Sequence, residues 1–394
     1  MSFMGYERPD GSVGVRNYIL VMAVAQCLEP VAQKIAASVE GAVAITQHYT
    51  CLLAGNETIL HTLVGVGQNP NVAAVLVVGM GCESMNAELV GKRIAESGKP
   101  VEWIVCQDLG GTRPTISRGK EILSRMVNYA RGCSRKEFPD AKLIIGLKCG
   151  GSDTTMGLAA NPAIGVAVDM IVDAGGSAFL IEPIEAVGAE QVLTRRAVNE
   201  EVARQIRQMV ANEEKRFRVS GCEIEFMCQG NIDGGLTTIE EKSLGAIHKS
   251  GTRPIQGVLE FSQRRLQKVP GPGFYLQDGT HYDNMAFSIM AAAGAQIIVF
   301  STGRGATLGH AIVPMIHVCS HPQTYQKMAE DMDINAGTII EGKESITEVG
   351  KRIFAEIKEV ASGKLTKAEE FGYNTFSVYW RDPRLDTLLG ITSK

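Results

Sequence analysis

Short apolar runs, each about the length of one buried strand, alternate along this chain with longer amphipathic stretches. NYILVMAVA (17–25), AVLVV (74–78) and VEWIVC (101–106) are of the first kind, and AVAI (42–45) is a shorter apolar run. Between them, 28–39, 57–66 and 88–97 carry the spacing of helices, and 115–131 reads as a long one. The pattern restarts at KLIIGL (142–147), followed by a helix at 163–174 and the strand SAFLIE (177–182). One long charged helix is expected from 187 to 216, with Arg195, Arg196, Glu200, Glu201 and Arg204 on a solvated face. Then come a loop-rich stretch at 221–235 and a helix at 238–249 capped by Thr237 or Thr238. The strand AQIIVFS (295–301), a polar loop at 331–337 and a helix at 346–361 capped by Ser345 complete the chain. Uninterrupted apolar strands separated by helices belong to parallel sheets covered on both faces. The expected fold is therefore α/β, with two or three packed domains and mostly parallel, Rossmann-like sheets. The domains are placed at 1–135, 136–235 and 236–394.

Composition narrows the partners. The chain has 394 residues, is 45% hydrophobic and 21% charged, and carries a formal charge of -4. Nothing there attracts nucleic acid or an anionic membrane. No run reaches the roughly 18 apolar residues of a membrane span. The start, MSFMGYERPDG, has charges and a turn where a signal peptide has an apolar core. A cytoplasmic location follows, so the nine cysteines read as thiols, metal ligands or core residues rather than disulfides.

Candidate chemistry gathers where strands end. GMGCES (79–84), KCGGSD (148–153) and STGRG (301–305) each follow a buried strand, and ligands of open parallel sheets bind beyond such ends. GMGCES fits a dinucleotide loop only if Ser84 replaces the last glycine, and Glu102 begins a strand instead of ending one. A nicotinamide-dependent dehydrogenase is thus a rival reading. In QHYTC, His48 and Cys51 pair an imidazole with a thiolate, a set that suits iron or zinc. Cys82 and Cys149 end separate strands, and with Cys51 they offer either a three-thiolate iron–sulfur site or three buried thiols. In KCGGSDTTMGLAANP, Gly150 and Gly151 bring backbone N–H groups near an anion, and Ser152 and Asp153 add a hydroxyl and a carboxylate. Asn161 is expected to cap a helix whose first turn holds Pro162. Lys242 beside Glu241 offers a base or a substrate clamp. Arg304, between glycines, suits a bidentate grip on a carboxylate.

Six segments together carry a family resemblance. They are GYERPDGSVGVRNYI (5–19), NPNVAAVLVVGMGCE (69–83), CGGSDTTMGLAANPAIG (149–165), GGLTTIEEKSLG (234–245), FSTGRGATLG (300–309) and EDMDINAG (330–337). In order, and over nearly the whole chain, they resemble the large catalytic module of the altronate/galactarate dehydratase family. The resemblance implies a metal-dependent hydro-lyase, using Fe2+ or Mn2+, that converts a sugar acid to a 2-keto-3-deoxy acid. A close branch, the sulfolactate sulfo-lyase large subunit, eliminates sulfite instead. The resemblance also implies a separate small subunit of the SAF (beta-clip) type, because the chain begins directly at GYERPDG, and an oligomeric assembly. LQDGTHYDN (276–284) lacks the Thr-Pro-Gly of altronate-like members, a departure that bears on the substrate. On this reading the substrate is a small hydroxy acid. His48 and Cys51, with Cys82 and Cys149 behind them, hold the metal. Gly150, Gly151, Ser152, Asn161 and Arg304 bind the carboxylate, and Asp153, Lys242, Glu241 and His281 are the candidates for proton transfer. A non-enzymatic binding subunit is the remaining rival.

Overall fold

The computed structural model describes residues 2–49, 56–219, 221 and 227–391. Its strands, in chain order, are β1 (Ser2–Glu7), β2 (Val13–Gly14), β3 (Tyr18–Ala23), β4 (Ala42–Thr46), β5 (Val72–Gly79), β6 (Val101–Val105), β7 (Lys136–Pro139), β8 (Ile144–Cys149), β9 (Ser177–Ile181), β10 (Ile255–Leu259), β11 (Gly273–Gln277), β12 (Ile297–Thr302), β13 (Met315–Cys319) and β14 (Ile334–Asn335). Strands β4-β3-β5-β6 make a parallel four-stranded sheet. A parallel seven-stranded sheet runs β10-β11-β9-β8-β12-β13-β14, and β2-β1-β7 form a small antiparallel one. The boundary expected at residue 235 falls inside the seven-stranded sheet, which takes β8 and β9 from before it and β10 to β14 from after it.

Alternation along the strands assigns each side chain to a face. In β12, Ile297 and Val299 join the core under helices Ala160–Asp173 and Ile346–Ala361, whereas Ile298 and Phe300 join the core on the other face. That second core is continuous with the four-stranded sheet through Leu20, Met22, Val75 and Val77. Helix Glu57–Gln68 there packs on helix Asp283–Ala292 so closely that a Cβ on Gly65 would lie 2.6 Å from that of Ala292. Two buried asparagines clip the sheets together. Asn69 donates to Ala291 O and Ala295 O at 2.7 and 2.9 Å, and Asn71 donates to Gln296 O and Ile312 O at 2.9 and 3.0 Å. Arg16 ties the N-terminal segment to the C-terminal one through two 2.7 Å contacts to the Glu369 carboxylate.

The long charged helix expected at 187–216 is two helices, Glu190–Thr194 and Glu200–Val219. The break lets Ala197 form a parallel bridge to Ile255 beside β10. It also turns Arg196 inward, to Ser250 Oγ at 2.6 Å and to the Ser250 and Arg253 carbonyls at 2.8 Å. Asn199 then restarts the helix by accepting the Val202 N–H at 2.9 Å. Among the described residues no helix is long and apolar enough to cross a membrane.

Candidate active site

Beyond the carboxyl ends of β8 and β12 lies a crevice of about 270 Å³. Its near wall begins where β8 ends at Cys149. Asp153 Oδ1 accepts the Thr155 and Met156 N–H groups and the Thr155 hydroxyl at 3.0, 3.2 and 2.6 Å, capping the short helix Thr154–Leu158. That helix fills the gap before Ala160–Asp173. Asn161 therefore sits inside the second helix and does not cap it. Its amide donates to Gly245 O at 3.0 Å and accepts from Ser301 Oγ at 2.8 Å, joining the two stretches that enclose the crevice to each other and to the end of β12. Cys149, Ser152, Asp153, Asn161, Glu241 and Lys242, all singled out in the sequence, line this one space. A larger cavity of about 580 Å³ lies between β4 and residues 372–376. Among the described residues its lining has no lysine or arginine to hold an acid and none of these candidates.

Charges are buried behind the crevice floor. The Lys249 ammonium is fully buried, in contact with Cys149 Sγ and 2.8 Å from Glu185 Oε2. Lys148, equally buried, lies 2.9 Å from Glu182 and 2.7 Å from Asp283. The Lys148–Glu182 contact is an ion pair without hydrogen-bond alignment, so Glu182 Oε2 stays unbonded. Lys242 Nζ stands 3.9 Å from Glu185 Oε1, too far for a hydrogen bond, which leaves its charge available to the crevice. Burial opposes charge on Glu185, but Lys249, Lys242 and Lys148 outweigh it and hold the carboxyl below its usual range. Burial and the neighbouring Glu185 push Glu182 up. Burial pushes the Cys149 thiol up to about 12, so it stays protonated at neutral pH. Glu182 also holds a φ of 110°, the one positive φ among the described non-glycine residues. Such a backbone costs on the order of 1–3 kcal/mol and clusters at functional sites. Glu182, Glu185 and Lys249 carry no sequence signal beyond their nearness to strand and helix ends, and Lys148 only opens the KCGGSD segment.

The other predicted residues fall at different distances from this space. The Gly150 N–H is spent on Ser301 O at 2.8 Å. Those of Gly151, Ser152 and Asp153 have no acceptor among the described residues, so a backbone cradle for an anion remains. Ser152 Oγ donates to Gly150 O at 3.2 Å. Glu241 accepts the Thr237 N–H and hydroxyl at 2.8 and 2.6 Å, which hold its carboxyl below the usual range. Arg304 is exposed, has no acidic partner among the described residues, and does not line the crevice. Its N–H donates to Gly151 O at 3.2 Å. His281 is off the crevice wall, with Nδ1 unbonded and its ring near Phe217 and Tyr282. Burial, with the charges of Lys148 and Lys242, lowers it to about 4. One glycine fixes the loop: a Cβ on Gly303 would lie 2.1 Å from Asp153 Cγ. Gly303→Ala should therefore cost about 1–3 kcal/mol in a urea titration by displacing Asp153 from its cap. An unchanged midpoint would show that the loop has room.

The predicted metal ligands are less coherent. Cys51 lies outside the described residues. His48 has Ser377 Oγ 3.2 Å from Nδ1 and its ring against Tyr49, and Cys82 is exposed after β5. Among the described residues no group of three or more His, Cys, Asp or Glu is placed to hold a metal ion. The GMGCES loop is also occupied from within. Glu83 accepts the N–H groups of Met80, Gly81 and Cys82 at 2.8–3.2 Å, so its donors are used and a carboxylate stands where a pyrophosphate would bind.

Comparison with known families adds the deciding observation. The model for "D-galactarate/Altronate dehydratase, C-terminal" matches residues 141–383, and that for "D-galactarate dehydratase/Altronate hydrolase, second domain" matches residues 5–131. The chain belongs to the galactarate/altronate dehydratase family. The two family segments meet where the last helix of the four-stranded unit, Thr112–Gly132, gives way to β7. Among the relatives is the (2R)-sulfolactate sulfo-lyase subunit beta of Chromohalobacter salexigens, 33% identical over 95% of this chain and 96% of that one. The altronate dehydratase of Bacillus subtilis is 31% identical over 96% of this chain and 77% of its own. The galactarate dehydratase (L-threo-forming) of Escherichia coli is 31% identical, over 96% and 76%. In this dehydratase family the crevice residues fall in the C-terminal family segment.

Proposed function

We propose that the chain is a lyase that removes water from a sugar acid such as altronate, giving a 2-keto-3-deoxy acid in the crevice beyond β8 and β12. One observation carries this reading: residues from two separate stretches, 149–161 and 236–248, converge on a single space beside Lys242, whose ammonium makes no hydrogen bond to Glu185. Dehydratases among the relatives support the reaction class.

Elimination beside a carboxylate needs three things from the protein. The carboxylate must be held so that the enediolate formed on proton loss is stabilised. Lys242 and the Gly151–Asp153 backbone cradle supply that. A base must reach the C2 proton. Asp153 lines the crevice with Oδ1 fixed by the helix cap and Oδ2 accepting no hydrogen bond among the described residues, so its geometry is set before substrate arrives. The departing hydroxide must gain a proton. Cys149 is a thiol at neutral pH and has the Lys249 ammonium against its sulfur. Sulfite elimination from sulfolactate is a second reading, favoured by the 33% identity to the sulfo-lyase subunit. That relative is named as a subunit, which supports a partner subunit for this chain as well.

The test is Lys242→Met, assayed by 2-keto acid formation from altronate and by sulfite release from sulfolactate. Loss of one charge-assisted contact of about 2–3 kcal/mol corresponds to roughly a hundredfold in kcat/KM. A variant as active as the parent would remove the crevice from the reaction.

A further inference from the structure

β4 is an edge of the four-stranded sheet, and the cavity of about 580 Å³ opens along it. All five residues of the strand, Ala42 to Thr46, line that space, whereas a cavity on one face would touch alternate residues. The space therefore lies beside the strand, where the sheet would continue. The Ile19 N–H donates to Gly41 O at 3.2 Å. By the alternation of a parallel ladder, Val43 and Ile45 then bond β3, and the main-chain groups of Ala42, Ala44 and Thr46 point the other way. The Ala42 N–H turns back to Val39 O at 3.3 Å, while those of Ala44 and Thr46 have no acceptor among the described residues. One wall is helix Glu29–Ala36 and the other is the segment 372–376. Ala44 packs on the helix side and Val43 on the side of Tyr373 and Phe376, so the walls lie on opposite faces of the sheet. We propose that this slot takes an extended polypeptide segment of a partner chain, carrying a basic residue at one end, as a fifth strand beside β4.

Three features select that occupant. A row of main-chain donors and acceptors recognises another main chain, whatever its side chains. The edge is also unguarded: AVAIT has no charge and no proline, whereas the opposite edge, β6, carries Glu102, paired with Arg125 at 2.8 Å. Both walls reach past β4, so the incoming strand is enclosed on its two faces and must arrive without helices of its own. A second copy's β4, covered by its own helix and its own 372–376 segment, is too thick for the slot. Charge supplies the third feature. Among the described residues, the slot has no lysine or arginine, its Glu369 is held by Arg16, and Glu29 has no cationic partner. An exposed carboxylate at one end favours a basic segment and repels an acidic one. The proposal stands apart from the lyase reading of the other crevice.

The test is amide hydrogen exchange of the full chain, read residue by residue along β4, with and without an excess of the end-capped peptide KVAVAVK. In the chain alone, the Ala44 and Thr46 amides should exchange faster than those of Val43 and Ile45, which the ladder protects. The peptide should slow Ala44 and Thr46 about tenfold or more and leave Val43 and Ile45 as they were. The same peptide with its internal amides N-methylated keeps the side chains, loses the main-chain donors and should give no protection. EVAVAVE should protect less than KVAVAVK, and the difference should shrink with salt. Four results would each overturn the proposal: Ala44 and Thr46 amides already slow in the chain alone, no slowing by KVAVAVK, equal protection by the N-methylated peptide, or equal protection by EVAVAVE at low salt.

Discussion

Lys249→Met is expected to destabilise the protein by about 3–5 kcal/mol, the cost of leaving one partner of a buried ion pair uncompensated. Lys249 and Glu185 are 0% and 1% exposed at the side chain, so water cannot replace the lost partner. The cations that remain near Glu185 are Lys242 at 3.9 Å and Lys148, neither hydrogen-bonded to it, and Oε1 already lacks a hydrogen bond. Methionine matches the lysine stem in length, so packing changes little and the effect reports charge. The double variant Lys249→Met/Glu185→Leu should recover much of the loss, because removing both charges also removes their desolvation. Urea unfolding of the parent, both singles and the double measures this directly. A single variant within about 0.5 kcal/mol of the parent would mean that Glu185 takes up a proton or finds another partner.

Acid should unfold this protein through its buried histidines. Burial lowers His310 to about 3 and His317 to about 4, while an unfolded chain has both near 6.5. The unfolded state therefore binds protons first. Stability is complete above pH 6.5 and falls as pH drops from there toward the folded values. At pH 5 each histidine contributes a loss of about 2 kcal/mol. Asp333, which accepts the His317 N–H at 2.7 Å, works the other way. Burial raises it to about 6, so its protonation below that value favours the fold and returns about 1.4 kcal/mol at pH 5. His281, lowered to about 4, adds to the loss, and Glu182, pushed up by burial and Glu185, opposes it, so the two largely offset and the net expectation is a loss of about 2–3 kcal/mol between pH 7 and pH 5, read from denaturant midpoints at each pH. In His310→Leu the slope over this range should flatten by about one proton. An identical slope would take His310 out of the account.

Much of the architecture could be read from residue order because its strands are buried on both faces and stay uniformly apolar. β3 and β9 lie within expected runs, β5, β8 and β12 overlap theirs and run one to three residues past them, and the Thr238 and Ser345 caps accept the Glu241 and Glu348 N–H groups. β11 and β13 were missed. GFYLQ is a short run set between Pro-Gly and Asp-Gly turns, and MIHVC carries a histidine that is fully buried only because β12 and β14 flank it. The break at 195–199 depended on Ser250, Arg253 and Ile255, far along the chain. For the site, motif-rich loops pointed to the crevice wall, but the ion pairs beneath it were hidden. Lys148 and Glu182 end their strands as ordinary polar residues, and only pairing across the sheet brings them together. Several segments that carried the resemblance are architectural. Arg8, Arg16, Asn69 and Asn71 spend their side chains on main-chain carbonyls and on Glu369. A motif reports that a position is constrained, not whether packing or chemistry constrains it.

Strand order has a consequence for how the chain is made. The four-stranded sheet uses one continuous stretch, from Tyr18 to Val105, so it can close while the rest is still on the ribosome. The seven-stranded sheet cannot. β8 is flanked by β9 and β12, and the residue paired with Ile145 in β12 is Ile297. Until that part of the chain emerges, one edge of β8 has no neighbour and a bare apolar face is offered to solvent. Nascent chains halted between these points should be the ones that chaperones hold and that aggregate on release.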